Sequence, residues 1–204
     1  MKFTRTPIVY YGGKQLMVKD ILPLIPQHKL YCEPFAGGAA IYFVKPPAEI
    51  EVINDLNHFI VNFYEQCQTN FLPLQEMIQA TLHNRQAHVD AKVMYDNPHL
   101  FTPLQCAWAF WVLTAQGYSG MISNTWSYAV ADGKKERSLN NKRLNFTDVY
   151  QQRLAHTQIE CAPALKVIKS RDRVDSFFYI DPPYYNADMA HYGGYTARDF
   201  EDLL

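Results

Sequence analysis

The sequence predicts an α/β protein, a doubly wound parallel sheet interrupted by a mostly helical insertion. Short apolar runs alternate with helical periods at both ends of the chain, the arrangement that builds a parallel sheet with crossover helices. Between about residues 70 and 155 the period is helical alone. Near the end, "SFFYIDPPYYN" (176–186) drives four apolar residues into an acid and two prolines, which places Asp181 at the carboxyl end of a strand. With 204 residues, 48% of them hydrophobic, the chain has enough apolar surface for one domain with a sizeable insertion.

Taken in order, "KQLMVKDILPLI" (14–25) reads as a short amphipathic helix broken near Pro23 and Pro26. "KLYCE" (29–33) is a strand, "GAAIYFVK" (38–45) a helix, "EIEVIND" (49–55) a second strand, and a helix runs from about Asn57 to Gln68. Residues 70–155 hold three helical stretches separated by "GYSGMISNTWSYAVADGKKER", which reads as loop or hairpin. The α/β pattern then resumes with strand "TQIEC" (157–161), helix "PALKVIKS" (163–170) and the "FFYI" strand, whose lack of alternation predicts that both its faces are covered. Residues 1–69 and 156–204 thus form one discontinuous domain, and 70–155 the insertion.

The formal net charge of −1 conceals an uneven spread: residues 130–173 carry ten basic and five acidic side chains, residues 174–204 one basic and six acidic. A basic face, and hence DNA, is therefore compatible with the neutral average. Four cysteines without a C-x-x-C, and histidines without a ligand pair, predict buried thiols in a reducing compartment and no metal site. No apolar run is long enough for a membrane span, so a soluble, cytoplasmic protein is expected.

"YCEPFAGGAAIYF" (31–43) puts a glycine pair in the first strand-to-helix turn without a G-x-G-x-x-G cradle, which suits a nucleoside ligand lacking a phosphate. Asp55 ends the second strand, where a carboxylate can accept ribose hydroxyls; the competing role is a cap for the next helix. Asp181 and the Pro182 carbonyl could together accept both N–H bonds of a nucleobase amino group and hold its nitrogen toward a methylsulfonium. Pro183 stiffens the turn, and Tyr184 offers a flat face to a base swung out of a duplex. In the insertion, "GKKERSLNNKR" (133–143) sets Lys134, Lys135, Arg137, Lys142 and Arg143 beside Tyr118, Trp126 and Tyr128, a mixture suited to phosphates and unstacked bases.

"YYGGK" (10–14), "EPFAGG", "NDLN" and "DPPYY", in this order with a long insert before the last, resemble the Dam-like adenine-specific DNA methyltransferases. The resemblance spans nearly the whole chain. It implies a Rossmann-like methyltransferase fold using S-adenosylmethionine, flipping of the target base, and transfer to the 6-amino group of adenine in double-stranded DNA. By position it assigns Tyr10, Lys14, Glu33, Phe35, Gly37, Gly38, Asp55 and Asp181 to the cofactor, and Asp181, Pro182, Pro183 and Tyr184 to catalysis. Two stretches depart from the pattern. "ECAPAL" (160–165) has Pro163 where family members often carry an acid, so weaker cofactor binding, or a backbone group in its place, is expected. "TAQGYSGM" (114–121) lacks the N-R pair of Dam, so its recognition sequence does not carry over.

The alternatives are a DNA-binding remnant without catalysis, and an amino-methyltransferase for cytosine, RNA or protein glutamine. Ser or Asn is more frequent at the position of Asp181 in the latter families, which counts against them. Only four strands can be counted, so the sheet is expected to be incomplete at its C-terminal side. The 204 residues are then a fragment of a longer enzyme, or need a second chain to complete the sheet, and are poorly soluble and nearly inactive alone.

Overall fold

The computed structural model describes residues 5–118, 122, 125–130, 133–183 and 196–203. Among them, β1 (Leu30–Glu33), β2 (Ile50–Asn54), β3 (Thr157–Glu160) and β4 (Ser176–Phe178) form one parallel sheet in the order β3-β2-β1-β4. Leu30 of β1 lies opposite Ile50 and Ser176, and Glu51 opposite Thr157. The chain therefore winds outward from β1 to β3 and returns to the other side of β1. That reversal opens a crevice at the carboxyl ends of β1 and β4, where doubly wound sheets bind ligands.

Alternation along the strands sorts side chains between two layers. Tyr31 and Ile53 face α2 (Ala40–Val44) and α3 (His58–Thr69), while Leu30, Cys32 and Val52 meet Val167 of α9 (Ala164–Arg171) on the other face. The helices of the insertion, α4 (Phe71–Ala80), α5 (Arg85–Asp96), α6 (Pro103–Gln116), α7 (Lys134–Asn145) and α8 (Val149–Leu154), extend the first layer. Phe63 of α3 lies 6.1 Å from Phe110 and 6.3 Å from Phe146, so one continuous core joins sheet and insertion. α6 begins with Pro103 at N1 and a Thr102–Gln105 capping box, and is buried on most sides from Cys106 to Thr114.

At the amino end of the sheet, away from the crevice, Glu51 is ion-paired with Lys45 (2.6 Å) and with Arg153 from α8. All three side chains are largely buried. Burial opposes the charge of Glu51, but hydrogen bonds from Arg153 and Lys45 hold its carboxyl below the ordinary value.

The structure corrects three expectations. The stretch 14–25 is a 3-10 turn (Lys14–Leu16), the single-turn helix α1 (Val18–Ile21) and a second 3-10 turn (Leu22–Leu24), with Val18 as its buried residue. Pro23 and the absence of a side-chain cap keep it from becoming one helix. "KKER" is not loop: Lys134 starts α7 directly after Gly133, whose φ of +58° turns the chain into a run of good helix formers. Lastly, β4, at one edge of the described sheet, is half-buried rather than covered on both faces, with Ile180 42% exposed. An unbroken apolar run identifies a strand but not what lies on each side of it. Among the described residues no helix is long and apolar enough to cross a membrane.

Candidate active site

The crevice is a cavity of about 770 Å³ lined from three directions. The segment Tyr10–Lys14 forms one wall, the turns after β1 and β2 a second, and Pro163–Leu165 with Tyr179 and Asp181–Pro183 a third. Each residue that the sequence assigned to the cofactor lines it: Tyr10, Lys14, Glu33, Phe35, Gly37, Gly38, Asp55 and Asp181. Tyr184 lies outside the described residues.

The turn after β1 is held open by its own backbone. Gly37 has a φ of +47°, and a Cβ there would stand 3.1 Å from the Tyr10 ring, so strain and crowding both demand glycine. Its N–H donates to Asp55 Oδ2 (2.9 Å) and its carbonyl accepts from Tyr64 OH (2.9 Å). Ala39, at φ +50°, takes a second left-handed position at the start of α2.

Asp55 is not the cap of α3. Asn57 fills that role, its Oδ1 accepting from the Phe59 N–H at 3.0 Å. Asp55 instead accepts from Gly37 N–H and, through Oδ1, from Asn57 N–H (2.9 Å), which locks the two turns to each other. Burial raises its carboxyl above the ordinary value, against these backbone hydrogen bonds. Asp55 lines the cavity, and a carboxylate with about four acceptor sites has capacity beyond these backbone donors.

Asn54 was missed by the sequence reading and organises the floor of the crevice. Its buried amide donates to the carbonyls of Pro34 (2.8 Å) and Ala162 (2.9 Å) and accepts from the Ala162 N–H (2.9 Å). It thereby fixes the exits of β1 and β3, and with them Pro163 at the start of α9. An amide ending a buried strand was the available signal.

Glu33 is 1% exposed, and its Oε1 accepts from Tyr31 OH and from Tyr42 N–H, both at 2.7 Å. Burial pushes its carboxyl up to about 7, against those two donors and Lys45, with Asp181 adding to the rise. Asp181 itself is gripped by Lys14, whose Nζ lies 2.6 Å from Oδ2 and 2.8 Å from Oδ1 and also donates to the Gly12 carbonyl (3.0 Å). Their side chains are 15% and 24% exposed, so solvent screens the pair only partly. The structure thus places Lys14 on the acid of the "DPP" turn.

The insertion residues divide. Lys134, Lys135 and Arg137 are exposed on the first turns of α7, and Tyr118 is 61% exposed. Lys142 instead donates to the Ala115 carbonyl (2.9 Å) near the end of α6, and burial lowers its pKa to about 8. Arg143 donates to the Gln79 carbonyl near the end of α4. Both cations thus sit at helix carboxyl ends, where the helix dipole favours them. Trp126 is half-buried and donates to Gln116 Oε1 (3.0 Å).

A glycine turn held to an acid on the next strand, opposite an acid–proline turn across the reversal of a parallel sheet, is consistent with a Rossmann-like methyltransferase fold. The family described as D12 class N6 adenine-specific DNA methyltransferase matches residues 10–203, and the chain belongs to that family. It is 22% identical over 206 residues to a DNA N-6-adenine-methyltransferase of Escherichia phage P1, an alignment covering 98% of this chain and 27% of the phage protein. It is 37% identical over 76 residues to the type II methyltransferase M1.LlaDCHI of Lactococcus lactis subsp. cremoris, covering 37% of this chain and 26% of that one. It is 23% identical over 217 residues to a DNA adenine methylase of Vibrio cholerae serotype O1, covering 98% of this chain and 73% of that protein. The matched region thus spans about a quarter of the length of the first two relatives.

Proposed function

We propose that this chain carries the machinery for transferring a methyl group from S-adenosylmethionine to the 6-amino group of adenine in double-stranded DNA, with the base flipped out of the helix. The observation that carries the reading is the convergence of the Asp55–Gly37 pair and the Lys14–Asp181 pair on one cavity. The residues fit the cofactor: a glycine turn admits close approach, Asp55 has acceptor capacity for ribose hydroxyls, and Tyr10 and Phe35 supply apolar wall. When bound, S-adenosylmethionine supplies an electrophilic methyl on a sulfonium.

The exocyclic nitrogen of adenine is a weak nucleophile because its lone pair is delocalised into the ring. Asp181 and the Pro182 carbonyl accept its two N–H bonds and direct the nitrogen toward the cofactor side of the cavity. Lys14, bonded to both carboxyl oxygens of Asp181, fixes the direction of that side chain, so the acceptor is in place before the base arrives. Lys134, Lys135 and Arg137 provide phosphate contacts on the insertion, while Lys142 and Arg143 serve its packing. Cytosine, RNA and protein glutamine are disfavoured as substrates by the acid at 181 and by the family to which the chain belongs.

Incubation with duplex DNA and methyl-labelled S-adenosylmethionine, followed by nucleoside analysis, tests the proposal. Label in 6-methyladenine is expected. Label in cytosine, or none above a control lacking protein, would contradict it.

A further inference from the structure

Arg85 opens α5, and its guanidinium lies over two aromatic rings, 5.0 Å from the centre of Trp126 and 5.9 Å from that of Tyr128. The rings themselves stack, 5.6 Å apart and 21° from parallel. This platform is fastened from beneath. Trp126 Nε1 donates to Gln116 Oε1 (3.0 Å), Ser127 N–H donates to the Gln116 carbonyl (2.8 Å), and His83 Nε2 lies 2.9 Å from the Ser127 carbonyl. The His83 ring also packs against Trp126 at 4.8 Å, so one side of the indole is covered by protein.

Arg85 is exposed, and no carboxylate among the described residues forms an ion pair with it. A surface arginine normally sweeps through many rotamers. One held over two stacked rings has fewer positions open to it and offers its fork of N–H donors from a more defined place. Glu136 approaches His83 Nδ1 at 3.6 Å and brings the first turns of α7 to this edge, with exposed Lys134, Lys135 and Arg137 outnumbering that one acid. A planar fork of donors in a cluster of cations matches the paired oxygens of a phosphodiester.

We infer that Arg85 is a backbone phosphate contact for duplex DNA, and that Trp126 and Tyr128 are the platform that orients it rather than surfaces for stacking bases. The inference rests on the DNA-reading role proposed above for the insertion. It assigns work to Arg85, which lies outside the basic run 133–143, and gives Trp126 and Tyr128 an orienting role in place of base stacking.

The test is fluorescence anisotropy of the whole chain on two 20-base-pair duplexes of unrelated sequence across a potassium chloride series. For R85Q the account predicts a slope of log affinity against log salt smaller by about 0.9, and a loss of roughly five- to tenfold in affinity, equal on both duplexes. R85K is expected to restore the slope but not the full affinity, and Y128A to weaken binding with the slope intact, since each keeps the charge and loses the orientation. Far-ultraviolet circular dichroism and melting temperatures confirm that the variants fold. Wild-type binding with R85Q unchanged overturns this assignment alone. A loss confined to one duplex overturns it in favour of base reading. A wild-type chain that binds neither duplex overturns the DNA-reading role together with it.

Discussion

Replacing Glu33 with Gln removes a negative charge from a place that water does not reach while keeping an oxygen for the Tyr31 hydroxyl and the Tyr42 N–H. The folded carboxyl titrates near 7 against an ordinary value of 4.5, because burial outweighs its two donors. Between those values the folded chain holds a proton that the unfolded chain has released. Stability is therefore full below 4.5, falls as pH rises through the window, and is lost above 7. Integrated from pH 5 to pH 8, that loss is about 2 to 3 kcal/mol, a large fraction of the stability of a domain this size. E33Q does not titrate, so its stability should track wild type at pH 5 and exceed it by about 2 to 3 kcal/mol at pH 8. Urea unfolding followed by tryptophan fluorescence at both pH values measures the difference directly. Asp55, also raised by burial, contributes equally to both proteins and drops out of the comparison. Parallel pH profiles for the two proteins would refute the reasoning, and would mean that Glu33 is hydrated or charged in the folded state.

Other perturbations follow from the same geometry. Asp55→Ala should weaken S-adenosylmethionine binding by about 1–3 kcal/mol in calorimetry, through lost ribose acceptors and a loosened Gly37 turn; unchanged affinity would leave Asp55 as a purely structural lock. Glu51→Ala strands Lys45 and Arg153 at the amino end of the sheet and should cost about 3–5 kcal/mol of unfolding free energy, whereas a loss under about 1 kcal/mol would show that the cluster is solvated. Neutralising Lys134, Lys135 and Arg137 together should reduce the salt slope of DNA binding by up to about three, and an unaltered slope would return α7 to a solvated face. Ala39→Gly should raise stability by about 0.5–1 kcal/mol, since a left-handed alanine is strained and the gain exceeds glycine's added freedom in the unfolded chain; a lower melting temperature would show that the strain is absent.

The strands and the two ligand turns were legible in the sequence because their signals are local. Apolar runs ending at Glu33, Asp55 and Asp181, and glycines after the first of them, mark the crevice without any knowledge of packing. What joins these parts is not local. Lys14 and Asp181 are 167 residues apart in the chain, and nothing near either one announces the other. The same holds for Asn54, whose bonds to Pro34 and Ala162 depend on how β1 and β3 flank β2. In the basic run, composition put all five cations on DNA, but helical geometry separates them. Lys142 and Arg143, in the last turn of α7, reach the carboxyl ends of α6 and α4, while the first turns face solvent. Trp126 looked like a base platform because aromatic residues in a glycine-rich loop have no sequence mark that distinguishes packing from display. How far the faces of β4 are covered was equally hidden, since that depends on what packs against the sheet and not on the segment itself.

The central claim is that Asp181, held by Lys14 at the mouth of a cofactor cavity, is the acceptor that prepares an adenine amino group for methyl transfer. Single-turnover methyl transfer by D181A tests it most directly, with cofactor and DNA saturating and mass spectrometry reading 6-methyladenine at low yield. The account predicts measurable product from wild type, none from D181A, and DNA affinity for the variant within about twofold of wild type, because phosphate contacts lie on the insertion. Appreciable product from D181A under these conditions would contradict it.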